Sequence, residues 1–195
     1  MNRTWTFVRV AGALAAGAVL MFIQCNLFDT REAANPSLPS LSFRQPTDPS
    51  IVISNLQNAV SEKNVANYVS CFVDPITSNR ELTFIPSSDG AGLVSWSRDD
   101  ERSYFENLRT SIGENGFSQL TLFPQNTPFP IDTVRYEFRY TLTVMHSKPG
   151  VPTTVSGHME LSIGRETNSS RWSIYAWTDR KDTAETWSRL KVEFQ

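Results

Sequence analysis

The chain has 195 residues, 39% of them hydrophobic and 19% charged, which is enough apolar material for one core and excludes wholesale disorder. Its formal charge is −2, and no Lys/Arg cluster supplies the basic footprint of a DNA- or RNA-binding protein. Nucleic acid is therefore excluded as an expected partner.

The first residues carry Arg3 and Arg9 and no acid, and Val10–Ile23 then runs uncharged. Basic, then apolar, then a processing site is the order of a secretory signal. Fourteen helical residues span only about 21 Å, short of the roughly 30 Å hydrocarbon core, so a transmembrane anchor is disfavoured. Phe22-Ile23-Gln24-Cys25 resembles the end of a bacterial lipoprotein signal. That resemblance implies removal of residues 1–24 and acylation of Cys25. Two or three acyl chains would hold the protein stably in the cell envelope. Asn26 after the cysteine, rather than Asp, points to the outer membrane. Without residues 1–24 the chain keeps 16 basic against 20 acidic groups, or −4. Cys71 is then the remaining cysteine, with no disulfide partner, and reads as a small buried apolar residue.

Residues 25–47 are polar and punctuated by Pro36, Pro39 and Pro46, the composition of an extended tether. The domain proper is expected over residues 48–195. Asp48-Pro49 opens a helix with an N-cap acceptor and Pro at the first position, and Ile51, Val52, Leu56, Ala59 and Val60 form its apolar stripe. Val65, Tyr68, Val69 and Phe72 mark a second helix, ended by Asp74-Pro75. A brief strand follows over Glu81–Pro86. Ser97–Asp100 resembles a capping box and starts a third helix, whose Tyr104, Phe105, Leu108 and Ile112 share a face.

After Gly116 the period changes from 3.6 to 2. Gln119–Phe123 is a short strand. In Thr133–His146 the even positions are apolar, and beyond Pro149-Gly150 the apolar positions are odd, with Val155, Met159, Leu161 and Ile163. A turn centred on Pro149-Gly150 pairs Phe138 with Leu161, Tyr140 with Met159 and Arg139 with Glu160. Arg171–Thr178 adds a last strand, with Trp172 and Ile174 on the apolar face and Trp177 on the opposite parity unless a bulge restores it.

Three helices followed by an antiparallel meander with one apolar face make an α+β fold, helices packed on one side of a curved sheet. The order resembles the nuclear transport factor 2-like family, also called SnoaL-like or ketosteroid-isomerase-like, a cone-shaped, cystatin-like architecture. The likeness covers about Asp48–Lys191. It is carried by Ala59-x(8)-Tyr68, Phe72-Val73-Asp74, Trp172-x-Ile174-x-x-Trp177-x-Asp179, Thr186-Trp187 and Leu190-Lys191. The resemblance implies a pocket at the wide end of the cone, in a family that includes enzymes and non-catalytic binding proteins.

Tyr68, Phe72, Phe84, Tyr104, Tyr136, Tyr140 and Trp172 are expected to fill the core, and as the alternative they are the candidate pocket residues, apolar walls with the two strand tyrosines as polar handles. Tyr136 and Tyr140 are the inward ionisable groups of the long strands, and no carboxylate is expected to face inward. Asp74 and Glu81 are expected to be solvated surface groups, with a place at the pocket rim as the alternative. His146 and His158 sit in opposite registers and make neither a metal site nor a dyad. No catalytic residue, metal or cofactor is expected. The leading expectation is a non-catalytic, membrane-anchored domain that binds an envelope protein or a small apolar molecule. An isomerase- or dehydratase-like enzyme of the same fold and a purely structural scaffold are the alternatives.

Overall fold

The computed structural model describes residues 42–129 and 131–195. The expected leader, Cys25 and the tether up to residue 41 lie outside the described residues. Ser42–Thr47, the last stretch of the segment read as a tether, runs along the domain. Asn55 exchanges hydrogen bonds with the Arg44 backbone at 2.9 and 2.6 Å, and the Trp172 amide donates to the Pro46 carbonyl at 2.9 Å.

The first helix, α1 (Pro49–Glu62), starts where the Asp48 carboxylate accepts the Ser50 amide at 2.8 Å. It buries Val52, Leu56, Ala59 and Val60. Lys63 closes it at φ 53° and donates through Nζ to the Gly113 and Gly116 carbonyls at 2.9 and 2.7 Å. Helix α2 (Val65–Val69) is capped by Asn64. The dipeptide expected to end it instead begins another element. Asp74 accepts the Ile76 amide and caps the short turn α3 (Pro75–Ser78), because Asp-Pro is a start signal as well as a stop signal. Strand β1 (Thr83–Ile85) follows, then a 3₁₀ turn over Ser88–Gly90.

Helix α4 (Arg98–Ile112) opens on the capping box the sequence predicts, with Asp in the acidic place: the Asp100 amide donates to Ser97 Oγ, and the Ser97 amide donates back to the Asp100 carboxylate. Strands β2 (Ser118–Pro124), β3 (Thr133–Val144), β4 (Thr154–Arg165) and β5 (Trp172–Arg180) complete the sheet, in the order β1-β5-β4-β3-β2. All neighbours are antiparallel except β1 and β5.

The β3–β4 register differs from the predicted one by two residues. Phe138 faces Met159, Tyr136 faces Leu161, Arg139 faces His158, and Tyr140 faces Gly157. Parity is kept, so the apolar face survives, but the turn centres nearer Lys148-Pro149. The reason lies at Gly157. A Cβ there would come within 2.6 Å of the Arg180 carbonyl and 3.2 Å of the Tyr140 hydroxyl, so the tyrosine needs the glycine opposite it. The shift sets Glu137 against Glu160, and Glu160 pairs instead with Arg135 and Arg180 at 3.1 and 3.3 Å.

Strand β5 carries the bulge that the parity of Trp177 requires. Ile163 pairs with Ile174 while Ser162 pairs with Ala176, so Tyr175 is the extra residue. Trp177 is thereby turned fully inside. The chain ends in an element the periodicity reading omits, helix α5 (Trp187–Phe194). Trp187, Leu190, Lys191 and Phe194 form its buried stripe, and Leu190 and Phe194 each contribute about 1.5–3 kcal/mol by burial.

Candidate functional site

The interior between the helices and the sheet is filled by a connected group of rings. Tyr68 stacks on Phe105 at 4.0 Å and meets Phe72 edge-on at 5.2 Å. Phe72 and Phe84 both reach Trp177, at 6.2 and 5.4 Å. Trp177 meets Trp187 of α5 edge-on at 4.8 Å, and Trp187 lies 6.0 Å from Tyr140. Five of the candidate pocket residues thus belong to one cluster: Tyr68, Phe72, Phe84, Tyr104 and Tyr140. The other two belong to the same hydrophobic core but lie outside this network of rings. Tyr136 is half-buried and stacks on Phe138, and Trp172 is buried beneath the Arg165 guanidinium.

Within the cluster lies an ion pair. Glu101 of α4 and Lys191 of α5 are both fully buried, and the ammonium donates to the carboxylate. Glu101 also accepts the Tyr68 hydroxyl at 2.8 Å and the Trp96 indole N–H at 2.9 Å. The remaining directions around Lys191 Nζ are closed by ring faces: Trp177 at 4.2 Å, Phe84 at 4.4 Å, Trp96 at 5.1 Å and Tyr104 at 5.2 Å. Such faces attract a cation more strongly when water is excluded. Burial nonetheless pushes the Lys191 pKa below its usual value, and the charge and hydrogen bond of Glu101 offset only part of that. Burial, then the neighbouring Glu101 charge, pushes the Tyr68 and Tyr104 phenols well up.

A second buried carboxylate, Asp179, continues the inward face of β5 after Trp177. It accepts the Tyr140 hydroxyl at 2.8 Å and, from the start of α5, the Ser188 amide and hydroxyl at 2.8 and 2.6 Å. Burial raises its pKa despite those donors. The Tyr140 oxygen accepts the Trp187 amide at 2.7 Å, and the Tyr104 oxygen accepts the Trp187 indole N–H at 2.7 Å. Outside this layer, Asp89 accepts the Thr186 amide and hydroxyl at 2.8 and 2.7 Å. Burial alone would raise Asp89, but these bonds, the Ser87 hydroxyl and the Lys181 charge together hold it below the usual carboxylate range. Gly90 lets the 3₁₀ turn approach, since a Cβ there would come within 2.6 Å of the Ser188 Cβ.

The expectation of no inward carboxylate is therefore corrected twice. The pattern carries a signal for both. Glu101 stands one turn before Tyr104, Phe105 and Leu108, at i, i+3, i+4 and i+7. Lys191 completes the same spacing from Trp187 through Leu190 to Phe194. Asp179 follows Trp177 by two, so the bulge that turns one inward turns the other. A periodicity reading passes over each of them, because an isolated charge on an apolar face reads as an error until its partner is placed.

Cys71 is buried, and burial raises its thiol well above the ordinary value. His146 packs edge-on against Phe194 at 5.0 Å, and His158 lies opposite Arg139 on the sheet. Asp74 pairs with Arg98 at 3.5 Å. With Glu81 it borders a surface groove of about 630 Å³ whose floor includes Phe84 and Trp96.

The helices and sheet superpose on solved structures of low sequence identity. A nuclear transport factor 2-like protein of unknown function from Shewanella oneidensis MR-1 matches with a TM-score of 0.50 at 16% identity, over 70% of this chain and 99% of that one. The fold is nuclear transport factor 2-like. A second such protein, of unknown function in nutrient uptake, from Rhodospirillum rubrum ATCC 11170, matches with a TM-score of 0.50 at 12% identity, over 69% and 98% of the two chains. A candidate scytalone dehydratase from Novosphingobium aromaticivorans DSM 12444 matches with a TM-score of 0.51 at 9% identity, over 71% and 89%. At these identities the likeness of the nuclear transport factor 2-like domain is one of fold. No protein-family model matches the sequence, and no curated protein matches it.

Proposed function

We propose that the chain is a lipid-anchored protein of the bacterial cell envelope whose nuclear transport factor 2-like domain binds a partner protein and catalyses nothing. The observation that carries the non-catalytic part is α5. Trp187 and Lys191 occupy the interior, and every oxygen of Glu101 and Asp179 is already engaged by a donor of the chain itself. A general acid or base must reach a substrate proton directly or through one water, and here the carboxylates reach α5 instead. The anchor part rests on the signal-like leader and Cys25.

An isomerase- or dehydratase-like enzyme is the second reading. It is favoured by one feature, a buried carboxylate hydrogen-bonded to the Tyr140 phenol, and it requires α5 to leave during turnover.

Two measurements on the full chain in cells test the proposal. A fatty-acid analogue should label the protein, and Cys25→Ala should abolish the label. Photo-cross-linking residues placed in turn at exposed positions, Val94 and Arg139 among them, should give a discrete adduct larger than the chain. An unchanged label in Cys25→Ala removes the anchor, and no adduct from any position removes the partner.

A further inference from the structure

We propose that the groove between β1 and the start of α4 docks an extended, basic segment of a partner protein, added as a strand to the edge of the sheet. The proposal rests on the partner-binding reading above and says where, and by what chemistry, binding occurs.

Three segments line the groove: Asp74–Ile76, Glu81–Phe84 and Ser95–Asp99. The second carries β1, one of the two terminal strands of the sheet, which pairs with β5 on one side and with no strand on the other among the described residues. Such an edge presents unpaired backbone donors and acceptors, a template for another strand. Natural edges are blunted by short length, charge or proline, and β1 has three residues with Glu81 before it and Pro86 after it, which limits the added strand to a short segment. This edge is bordered by apolar side chains in water: Ile76 is 88% exposed, Val94 83% and Ile85 53%. They adjoin Phe84 and Trp96, which form the apolar floor.

Charge selects the occupant. Of the four charged residues on the lining, Arg98 is neutralised by Asp74 at 3.5 Å. Glu81 and Asp99 enter no ion pair among the described residues. Arg80, next in sequence, is turned over the Tyr175 ring at 4.3 Å. A strand entering here meets an apolar floor on one side and two uncompensated carboxylates at the rim. The complement is a segment in which apolar residues alternate with Lys or Arg. Two other surfaces lack this bias. The depression of about 850 Å³ beside α4 is bounded by Glu62, Glu106 and Glu114 against Lys63, Arg102 and Arg109, and the outer sheet face interleaves Arg135, Glu137, Arg139 and Glu160.

The test uses the full chain and a fluorescein-labelled peptide of alternating lysine and valine, followed by anisotropy. This peptide should bind, and a glutamate–valine peptide should not. The double substitution Glu81→Lys with Asp99→Lys should weaken binding by about tenfold or more, while Glu137→Lys on the sheet face should change it less than about twofold. N-methylation of alternate peptide amides should also abolish binding, because it deletes the edge hydrogen bonds and leaves the charge intact. That comparison involves no variant of the protein. Equal weakening by Glu137→Lys, or indifference to N-methylation, overturns the proposal. In cells, an adduct from Val94 that Glu81→Lys with Asp99→Lys removes supports it. An adduct from Arg139 alone overturns the groove and leaves partner binding standing, whereas no adduct from any position removes both.

Discussion

Replacing Lys191 by Met keeps the length of the side chain and deletes the ammonium that Glu101 holds inside the ring cluster. What remains is a carboxylate with donors from Tyr68 and Trp96 only, fully buried and without a counter-charge. Removing one partner of such a pair costs about 3–5 kcal/mol, because the other charge is left in a medium that solvates it poorly. At roughly 2–4 °C per kcal/mol for a domain of this size, the melting temperature should fall by roughly 6–20 °C. Glu101→Gln alone should cost a similar amount. The double variant, Lys191→Met with Glu101→Gln, removes both charges while the new side-chain amide keeps groups for Trp96 and Tyr68. It should recover most of the loss, since a buried pair exchanged for neutral groups is often nearly neutral in stability. Urea denaturation of the four proteins closes the cycle, and the coupling should be about 3 kcal/mol. Additive single effects, each below about 1 kcal/mol, would mean that the pair is hydrated, and the closed interior would be refuted with it.

Three further outcomes are expected. Burial raises the Asp179 pKa, so the native state holds a proton just above the unfolded value while the unfolded chain has released it. That stabilisation is present at low pH and is lost as pH rises through the native pKa. Asp179→Asn should remove this component, seen as a flatter dependence of the urea midpoint on pH above the ordinary carboxylate range. Gly157→Ala places a methyl group against the Arg180 carbonyl and the Tyr140 hydroxyl and should destabilise by about 1–3 kcal/mol, whereas Gly150→Ala meets no neighbouring atom and is strained only by its φ of 76°. Trp187→Ala should cost about 3–5 kcal/mol in the same denaturation assay and expose Tyr104 and Trp177 to quencher.

Much of the architecture is legible along the chain because burial and periodicity coincide. Thr133–Val144 alternates cleanly, and Tyr104, Phe105, Leu108 and Ile112 repeat at helical spacing with a capping box before them. The register of β3 on β4 is less legible, since a shift by two keeps every side chain on its face. Only the contact of Tyr140 with Gly157, which sequence alone does not place, selects the observed one. The buried charges are obscured for a different reason. Glu101, Asp179 and Lys191 stand at stripe positions, but their acceptability depends on partners 90 residues away for Glu101 and Lys191 and 39 away for Asp179 and Tyr140. Helix α5 is eight residues long, too short to be stable by itself, and its four inward residues gain meaning only against the ring cluster. The groove beside β1 is a product of chain return and has no local signature beyond exposed Ile76 and Val94.

The central claim is that α5 closes the interior of the domain instead of covering an open ligand pocket. Hydrogen exchange of the Trp187 and Trp96 indole N–H groups, followed by NMR, addresses it directly. Both are donated to buried oxygens, of Tyr104 and Glu101, and should exchange only through global unfolding, with protection that falls in step with denaturant. Exchange of either indole orders of magnitude faster than global unfolding, or accelerated by no denaturant, would show that the helix opens in the native state and would contradict the account.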